Sequence, residues 1–266
     1  MSEAEIRVAV AGARGRVGRE VVRAIDDAPD LRLVGGLSQV AGATVERPGG
    51  ASLALHTAVD ALLHDARPDV LVDFTLPDAA LPIARAALRA GVATVIGTSG
   101  LGASECAELG ALAEAAGVGV AVVPNFAVGA VLLIHFARLA SRYFGAAEIV
   151  ELHHDGKADA PSGTALATAE AMARARGEPF AADRTTKRTL AGARGGEVEG
   201  VRVHSVRLPG LVGHQEVLFG GPGQVLTLRH DATSREAYVP GVLLAVRAIG
   251  AHRGLVYGLD PLLGLG

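Results

Sequence analysis

The chain has 266 residues, half of them hydrophobic but only 3% aromatic, and a formal net charge of −3. A chain of this length can bury a sizeable core without staples, and its single cysteine, Cys106, excludes an internal disulfide framework and suits a reducing, cytoplasmic setting. The mild negative charge argues against a nucleic-acid surface. No apolar run reaches the ~18 residues of a membrane span, and the opening Met-Ser-Glu-Ala-Glu-Ile-Arg lacks the layout of a signal peptide.

In chain order, residues 6–11 read as a strand. Helical spacing follows over 17–25, with Val17, Val21, Val22 and Ile25 on one face. Residues 31–37, 70–74, 93–96 and 118–123 read as further buried strands, and 79–90 and 104–116 as Ala-rich helices. Strands alternating with helices predict a doubly wound parallel sheet, an α/β Rossmann-like domain. Pro124-Asn-Phe126 interrupts that rhythm. A helix is expected at 129–144, a strand at 148–154 and a helix at 162–176. A polar connection spans 177–200, and three alternating segments at 201–208, 215–220 and 224–230 read as antiparallel. A last helix at 234–249 is expected to return to the first domain. The organisation predicted is therefore a dinucleotide-binding domain of residues 1–126 and 235–266. An α+β domain with a mixed or antiparallel sheet, residues 127–234, would serve substrate binding and oligomerisation.

Gly12-Ala-Arg-Gly15-Arg-Val-Gly18 joins the first strand to the first helix. Glycine there permits a tight turn and close backbone approach, and the N–H groups of the helix start suit a pyrophosphate. The spacing is GxxGxxG, so the position between strand and helix carries the reading as much as the glycines do. The second strand ends Gly36-Leu-Ser-Gln39, without the acid that binds the ribose hydroxyl of NAD. Ser38 can donate to a hydroxyl or a phosphate, and Arg14 or Arg16 can meet a 2′-phosphate in bidentate fashion. This favours NADPH, or use of both NADPH and NADH.

The stretch Glu151-Leu-His-His-Asp-Gly-Lys-Ala-Asp-Ala-Pro-Ser-Gly-Thr164 holds two imidazoles, an amine and a turn able to open a helix. Only Lys157 and Lys187 are lysine among 25 basic residues, which marks Lys157 as a place where a compact ammonium is wanted. Ser162 can cap the helix, and the N–H groups of Gly163 and Thr164 can bind a carboxylate. A metal at His153 and His154 would need further ligands at suitable spacing, and the remaining histidines are scattered, so no metal is expected. Adjacent strand residues face opposite sides, so both imidazoles can share a pocket only if the strand ends there.

These motifs resemble the dihydrodipicolinate reductases of bacterial and plant lysine biosynthesis, also called 4-hydroxy-tetrahydrodipicolinate reductases. The stretch 151–164 is similar to that family's E-x-H-H-x-x-K-x-D-A-P-S-G-T signature. Val8 to Gly18, Val72-Asp-Phe-Thr75, Gly97-Thr-Ser-Gly100 and Pro124-Asn-Phe126 are similar to its nucleotide-domain motifs. The resemblance implies His153 as proton donor and acceptor, and Lys157 as the second catalytic residue. It implies substrate contacts from His154, Ser162, Gly163, Thr164 and Arg235. It further implies cofactor contacts from Gly12, Ala13, Arg14, Gly15, Arg16, Val17, Ser38, Phe74, Thr75, Gly97, Thr98, Ser99, Val123, Pro124, Asn125 and Phe126. A homotetramer is implied as well. With cofactor and substrate groups in different domains, hydride transfer would need hinges near 124–127 and 234–236. Two departures from the family pattern stand out: Ser38-Gln39 replaces an acid, and Ser99 a commoner threonine. Another two-domain dehydrogenase, of the aspartate or homoserine type, would explain the nucleotide loop but not the His-His-x-x-Lys stretch. A non-catalytic NADP(H) sensor would leave His153 and Lys157 without a task.

Overall fold

The computed structural model describes residues 5–265; residues 1–4, part of the stretch read above for a leader, and residue 266 lie outside it. The chain forms two compact units, one ending at Phe126 and resuming at Arg235, the other spanning Ala127–Ser234.

The first unit begins with β1 (Ile6–Ala11), α1 (Arg16–Asp27) and β2 (Leu31–Leu37), followed by a small hairpin of β3 (Thr44–Glu46) and β4 (Ser52–Ala54). Then come α2 (Val59–Ala66), β5 (Val70–Asp73), α3 (Pro77–Arg89), β6 (Ala93–Ile96), α4 (Ala103–Ala116) and β7 (Gly119–Val122). The second unit contains α5 (Val128–Ala140), β8 (Ala146–His153), α6 (Gly163–Arg176), β9 (Gly196–Val198), β10 (Val201–Arg207), β11 (Gly213–Gly221) and β12 (Gln224–Ala232). The chain returns to the first unit through α7 (Val239–Ile249) and β13 (Gly254–Tyr257).

The first sheet runs β13-β7-β6-β5-β1-β2, with every pairing parallel. Residues of β5, β6 and β7 are buried throughout, which is why they read as continuous apolar runs rather than alternations. Right-handed crossovers send α1 to one face and α2, α3 and α4 to the other. Leu62, Ile83 and Ala87 pack over Ala9 and Leu71, and Leu88, Cys106, Leu109 and Ala113 pack over Ile96 and Val120. Burial raises the pKa of the Cys106 thiol, leaving it a packing group rather than a nucleophile. α7 packs against α1, and its Gly241 lets the backbone meet the Phe126 carbonyl, where a Cβ could not fit.

The β3–β4 hairpin, α2 and β13 were not expected from the sequence. Each is short, eight residues in α2 and three or four in the strands, below the length at which periodicity separates helix from strand.

The second sheet runs β12-β11-β8-β10-β9. The expectation that 201–208, 215–220 and 224–230 are all antiparallel needs correction. β11 is antiparallel to both β8 and β12, but β10 lies parallel to β8, with Arg207 opposite His153. The cause is α6, a crossover long enough to bring the chain back in the same direction. β9 lies within the stretch expected to be connection, and it pairs antiparallel with β10. The core under the two helices is built from Ile149, Met172, Val201, Val203, Val217 and Phe219.

Candidate active site

The turn after β1 explains its glycines one at a time. Gly12 has φ +78, and a Cβ there would lie 2.5 Å from the Phe74 carbonyl oxygen. The Gly15 N–H closes the turn on the Gly12 carbonyl at 2.8 Å and Gly15 stands at the N-cap of α1. Gly18 brings the first turn of α1 against the Gly12 carbonyl, where a side chain would collide. The result is a backbone-walled corner at a helix N-terminus, the geometry a pyrophosphate uses. Ala13 is buried, whereas Arg14 and Arg16 are exposed and Val17 is partly buried. Ser38 follows β2, and its Oγ accepts from the Val40 N–H at 3.2 Å.

The other cofactor candidates lie past the carboxyl ends of β5, β6 and β7, the edge where open parallel sheets bind ligands. Phe74 and Phe126 meet with ring centroids 5.5 Å apart, and the Phe74 ring occupies the space a side chain at Gly97 would need. Val123 is buried, and its N–H donates to the Ile96 carbonyl at 2.9 Å. Ser99 and Pro124 are exposed and Asn125 is partly buried. Beneath them lies Asp73, fully buried. Its carboxylate accepts from the Thr98 hydroxyl at 2.7 Å, the Thr75 hydroxyl at 2.9 Å and the Thr75 N–H at 3.1 Å. Burial pushes the Asp73 pKa up, and the hydrogen bonds from Thr98 and Thr75 oppose it.

In the second unit, His153 is the last residue of β8 and His154 the first beyond it, exposed on a turn where its carbonyl accepts from the Lys157 N–H at 3.2 Å. Strand alternation puts Ile149, Glu151 and His153 on one side of β8. Glu151 is wholly buried, and its Oε2 lies 2.5 Å from His153 Nδ1. Both Glu151 oxygens also accept from Arg207, Oε1 at 2.8 Å and Oε2 at 3.0 Å. Burial would raise the Glu151 pKa, but the hydrogen bonds from Arg207, Ser205 and His153 outweigh it and hold the carboxyl low and ionised. An ionised carboxylate only accepts, so His153 Nδ1 carries the proton and Nε2 is its reactive nitrogen. The His153 pKa is lowered, first by burial and then by the nearby Lys157 and Arg207, against the pull of Glu151.

The Lys157 ammonium donates to the Asp159 carboxylate at 2.6 Å. Ser162 is the N-cap of α6, with Oγ accepting from the Ala165 N–H at 3.2 Å. Gly163 and Thr164 are the first two residues of that helix, where backbone N–H groups point out of the helix end. Gln215 anchors this turn. Its Nε2 donates to the Thr168 hydroxyl at 2.8 Å, and that hydroxyl donates to the Thr164 carbonyl at 2.7 Å. Arg235 begins the segment that returns to the first unit and is exposed, so it does not share a unit with His153. Among the described residues no cluster of His, Cys, Asp and Glu could hold a metal ion. Sequence reasoning assigned no role to Asp73, Glu151 or Arg207. A signal existed for the first two, since each is an acid at a position where strand periodicity demands an apolar residue.

A glycine turn and helix N-terminus at the carboxyl edge of a parallel sheet, on the same chain as a carboxylate-bound imidazole with an ammonium close by, define an NAD(P)H-dependent oxidoreductase. Family models of the dihydrodipicolinate reductase N-terminus and C-terminus match residues 6–126 and 129–263. The chain is 49% identical over 264 residues to a 4-hydroxy-tetrahydrodipicolinate reductase of Moorella thermoacetica, covering 98% of both chains. It is 47% identical over 262 residues to one of Dehalococcoides mccartyi, covering 98% of this chain and 99% of the relative. The structure of dipicolinate-bound dihydrodipicolinate reductase from Paenisporosarcina sp. TG-14 superposes with a TM-score of 0.88 at 39% identity, covering 97% of this chain and 99% of that one. The chain belongs to the dihydrodipicolinate reductase family. An amine dehydrogenase from Mycobacterium smegmatis, at 14% identity and a TM-score of 0.66, shares the fold alone.

Proposed function

We propose that the chain reduces 4-hydroxy-tetrahydrodipicolinate to tetrahydrodipicolinate in lysine (diaminopimelate) biosynthesis. The observation that carries the residue assignments is the Glu151–His153 pair. An ionised, buried carboxylate holds Nδ1, so Nε2 is left to carry a proton to substrate and take it back from solvent.

Loss of the ring hydroxyl with a neighbouring proton, as water, leaves a conjugated cyclic imine dicarboxylate. NAD(P)H, when bound, supplies the hydride that reduces it. His153 then protonates the enamine carbon that results. Lys157 exchanges Asp159 for a substrate carboxylate or the ring nitrogen, a fixed cation where negative charge develops. The Gly163 and Thr164 N–H groups take a substrate carboxylate at the α6 N-terminus, with His154 and Ser162 flanking that turn. Residues 12–17 hold the pyrophosphate. Arg14, Arg16 and Ser38 meet the adenosine ribose and its 2′-phosphate. Phe74, Thr75, 97–99 and 123–126 shape the nicotinamide end.

A dicarboxylate ligand is supported by the neighbour from Paenisporosarcina, whose structure holds dipicolinate. Assembly into a homotetramer fits the helix-free face of the second sheet, where Val150, Leu152, Val206 and Leu218 are only partly buried. No helix among the described residues is long and apolar enough to cross a membrane. The buried, free Cys106 suits a reducing cytoplasm. The test is oxidation of NADPH and of NADH, with substrate generated in place from pyruvate and aspartate semialdehyde. Turnover supports the reading. Cofactor binding without turnover returns the chain to the sensor reading.

A further inference from the structure

We propose that Glu151 and Arg207 are positioning residues, a buried clamp that fixes the His153 ring and the Lys157 turn relative to one another. This rests on the role proposed above for His153. Three observations support it.

The first is the cost of the arrangement. Glu151 continues the line of Ile149 on the helix-covered side of β8, where an apolar residue would pack. Only Arg207 of the pair keeps some exposure, and burying the Glu151 carboxylate costs desolvation that an apolar residue of the same volume would not, so an acid at this position points to a task other than stability. The second is the reach of Arg207. Its guanidinium grips both oxygens of Glu151, and the same Nη2 donates to the Asp159 carbonyl at 2.6 Å. Asp159 in turn holds the Lys157 ammonium through its side chain. Backbone pairing sets Arg207 directly opposite His153, and the next N–H, of Leu208, donates to the His153 carbonyl at 3.0 Å. One side chain therefore holds both the acid beside His153 and the backbone of the turn that carries Lys157, and leaves the ammonium able to exchange Asp159 for substrate. The third is the environment of Nε2. Across β11 the partner of His153 is Gly213, where a Cβ would stand in ordinary van der Waals contact with Nε2 at 3.6 Å, so that strand brings no polar side chain to this nitrogen while Glu151 holds Nδ1.

The charged groups around His153 are Glu151 from β8, Arg207 from β10, and Lys157 from the following turn. Opposite on β11, Gly213 brings no charge and His214 is paired with Asp231. Glu151 is the only one of these that favours the imidazolium, against burial and two cations. Removing its charge while keeping its shape lowers the pH at which His153 gives up its proton.

The experiment is the Glu151→Gln enzyme, full length, read by the pH profile of kcat and kcat/KM and by nitrogen NMR of the histidine rings. Expected is a kcat roughly 10–100-fold lower, the range for carboxylates that orient metal-bound histidines. The alkaline limb should move about one pH unit toward acid, with cofactor affinity unchanged. Glu151→Asp, which keeps the charge, should return the limb toward the wild-type position. An unmoved limb and an unaltered Nδ1–H tautomer in Glu151→Gln would reduce the pair to packing and overturn the proposal. Should that variant fail to fold, Arg207→Lys keeps the charge and loses the fork. A raised substrate KM together with a shifted limb supports the clamp, and wild-type values of both overturn it. His153→Gln in the same series separates the two levels. If it keeps wild-type turnover, the assignment of His153 itself falls. If it loses turnover while Glu151→Gln keeps the wild-type profile, the clamp alone falls.

Discussion

The Thr98 hydroxyl donates to the buried Asp73 carboxylate at 2.7 Å and so ties the segment after β6 to the end of β5. Thr75 donates to the same carboxylate from its own side chain and backbone. The segments flanking the proposed nicotinamide end are thus held by one acid under them. Thr98→Val removes the bond that most opposes the burial of Asp73. A hydrogen bond to a charged group contributes about 1.5–3 kcal/mol, so a stability loss of that size is expected, with weaker cofactor binding and unchanged substrate binding. The pH sign follows from the raised pKa. The stabilisation of a group whose folded pKa is raised is fully present below its unfolded value near 3.8 and is lost as pH rises through the folded one. The deficit of Thr98→Val should therefore shrink toward acid, and denaturation at pH 5 and pH 8 measures it.

His153→Gln should lower kcat by roughly 10²–10⁴, the range for a positioned proton donor, while cofactor affinity changes little. Steady-state kinetics beside a direct cofactor titration decide this, and equal losses in both would sink the assignment.

The lowered pKa of His153 has its own signature in stability. A depressed pKa means that the folded state resists protonation. Its contribution is present above the unfolded value of about 6.5 and is lost as pH falls through the folded value. Wild-type enzyme should lose stability relative to His153→Gln below about pH 6.5, measured by denaturant titration across that range. Parallel curves would contradict the burial argument.

Lys157 begins its work already paired. Its partner Asp159 is largely exposed, and exposed ion pairs contribute about 0.2–1 kcal/mol. Asp159→Asn should therefore lower the substrate KM by up to about fivefold, since a carboxylate no longer displaces a competitor. Lys157→Met should raise KM and lower kcat together. A KM that is unchanged in Asp159→Asn would show that substrate does not compete for that ammonium.

Arg14 and Arg16 stand exposed beside the glycine turn. Replacing both with Ala should raise the NADPH KM about tenfold, the equivalent of one lost charge-assisted bond, and leave NADH nearly unaffected. The effect should fade in high salt, where exposed charges are screened. A matching loss for NADH would place these arginines at the pyrophosphate instead.

What was legible in the sequence is what short-range physics controls. The β1 run and the glycines after it announce a strand, a turn and a helix start because each needs only neighbouring residues. Ser162 reads as a cap for the same reason, and the His-His-x-x-Lys stretch is specific enough to carry the family resemblance. What only the tertiary structure decided are the contacts made across strands. The Glu151–His153 contact is not one of these: it lies within β8, where alternate residues share a side, and the acid at an apolar position was its signal in the sequence. Arg207 carries no sequence signal for its role. It lies more than fifty residues from Glu151, and only the parallel return of β10 through α6 sets them side by side. The three alternating segments could not disclose that direction, because a strand's own pattern records which side is buried but not which way its neighbour runs.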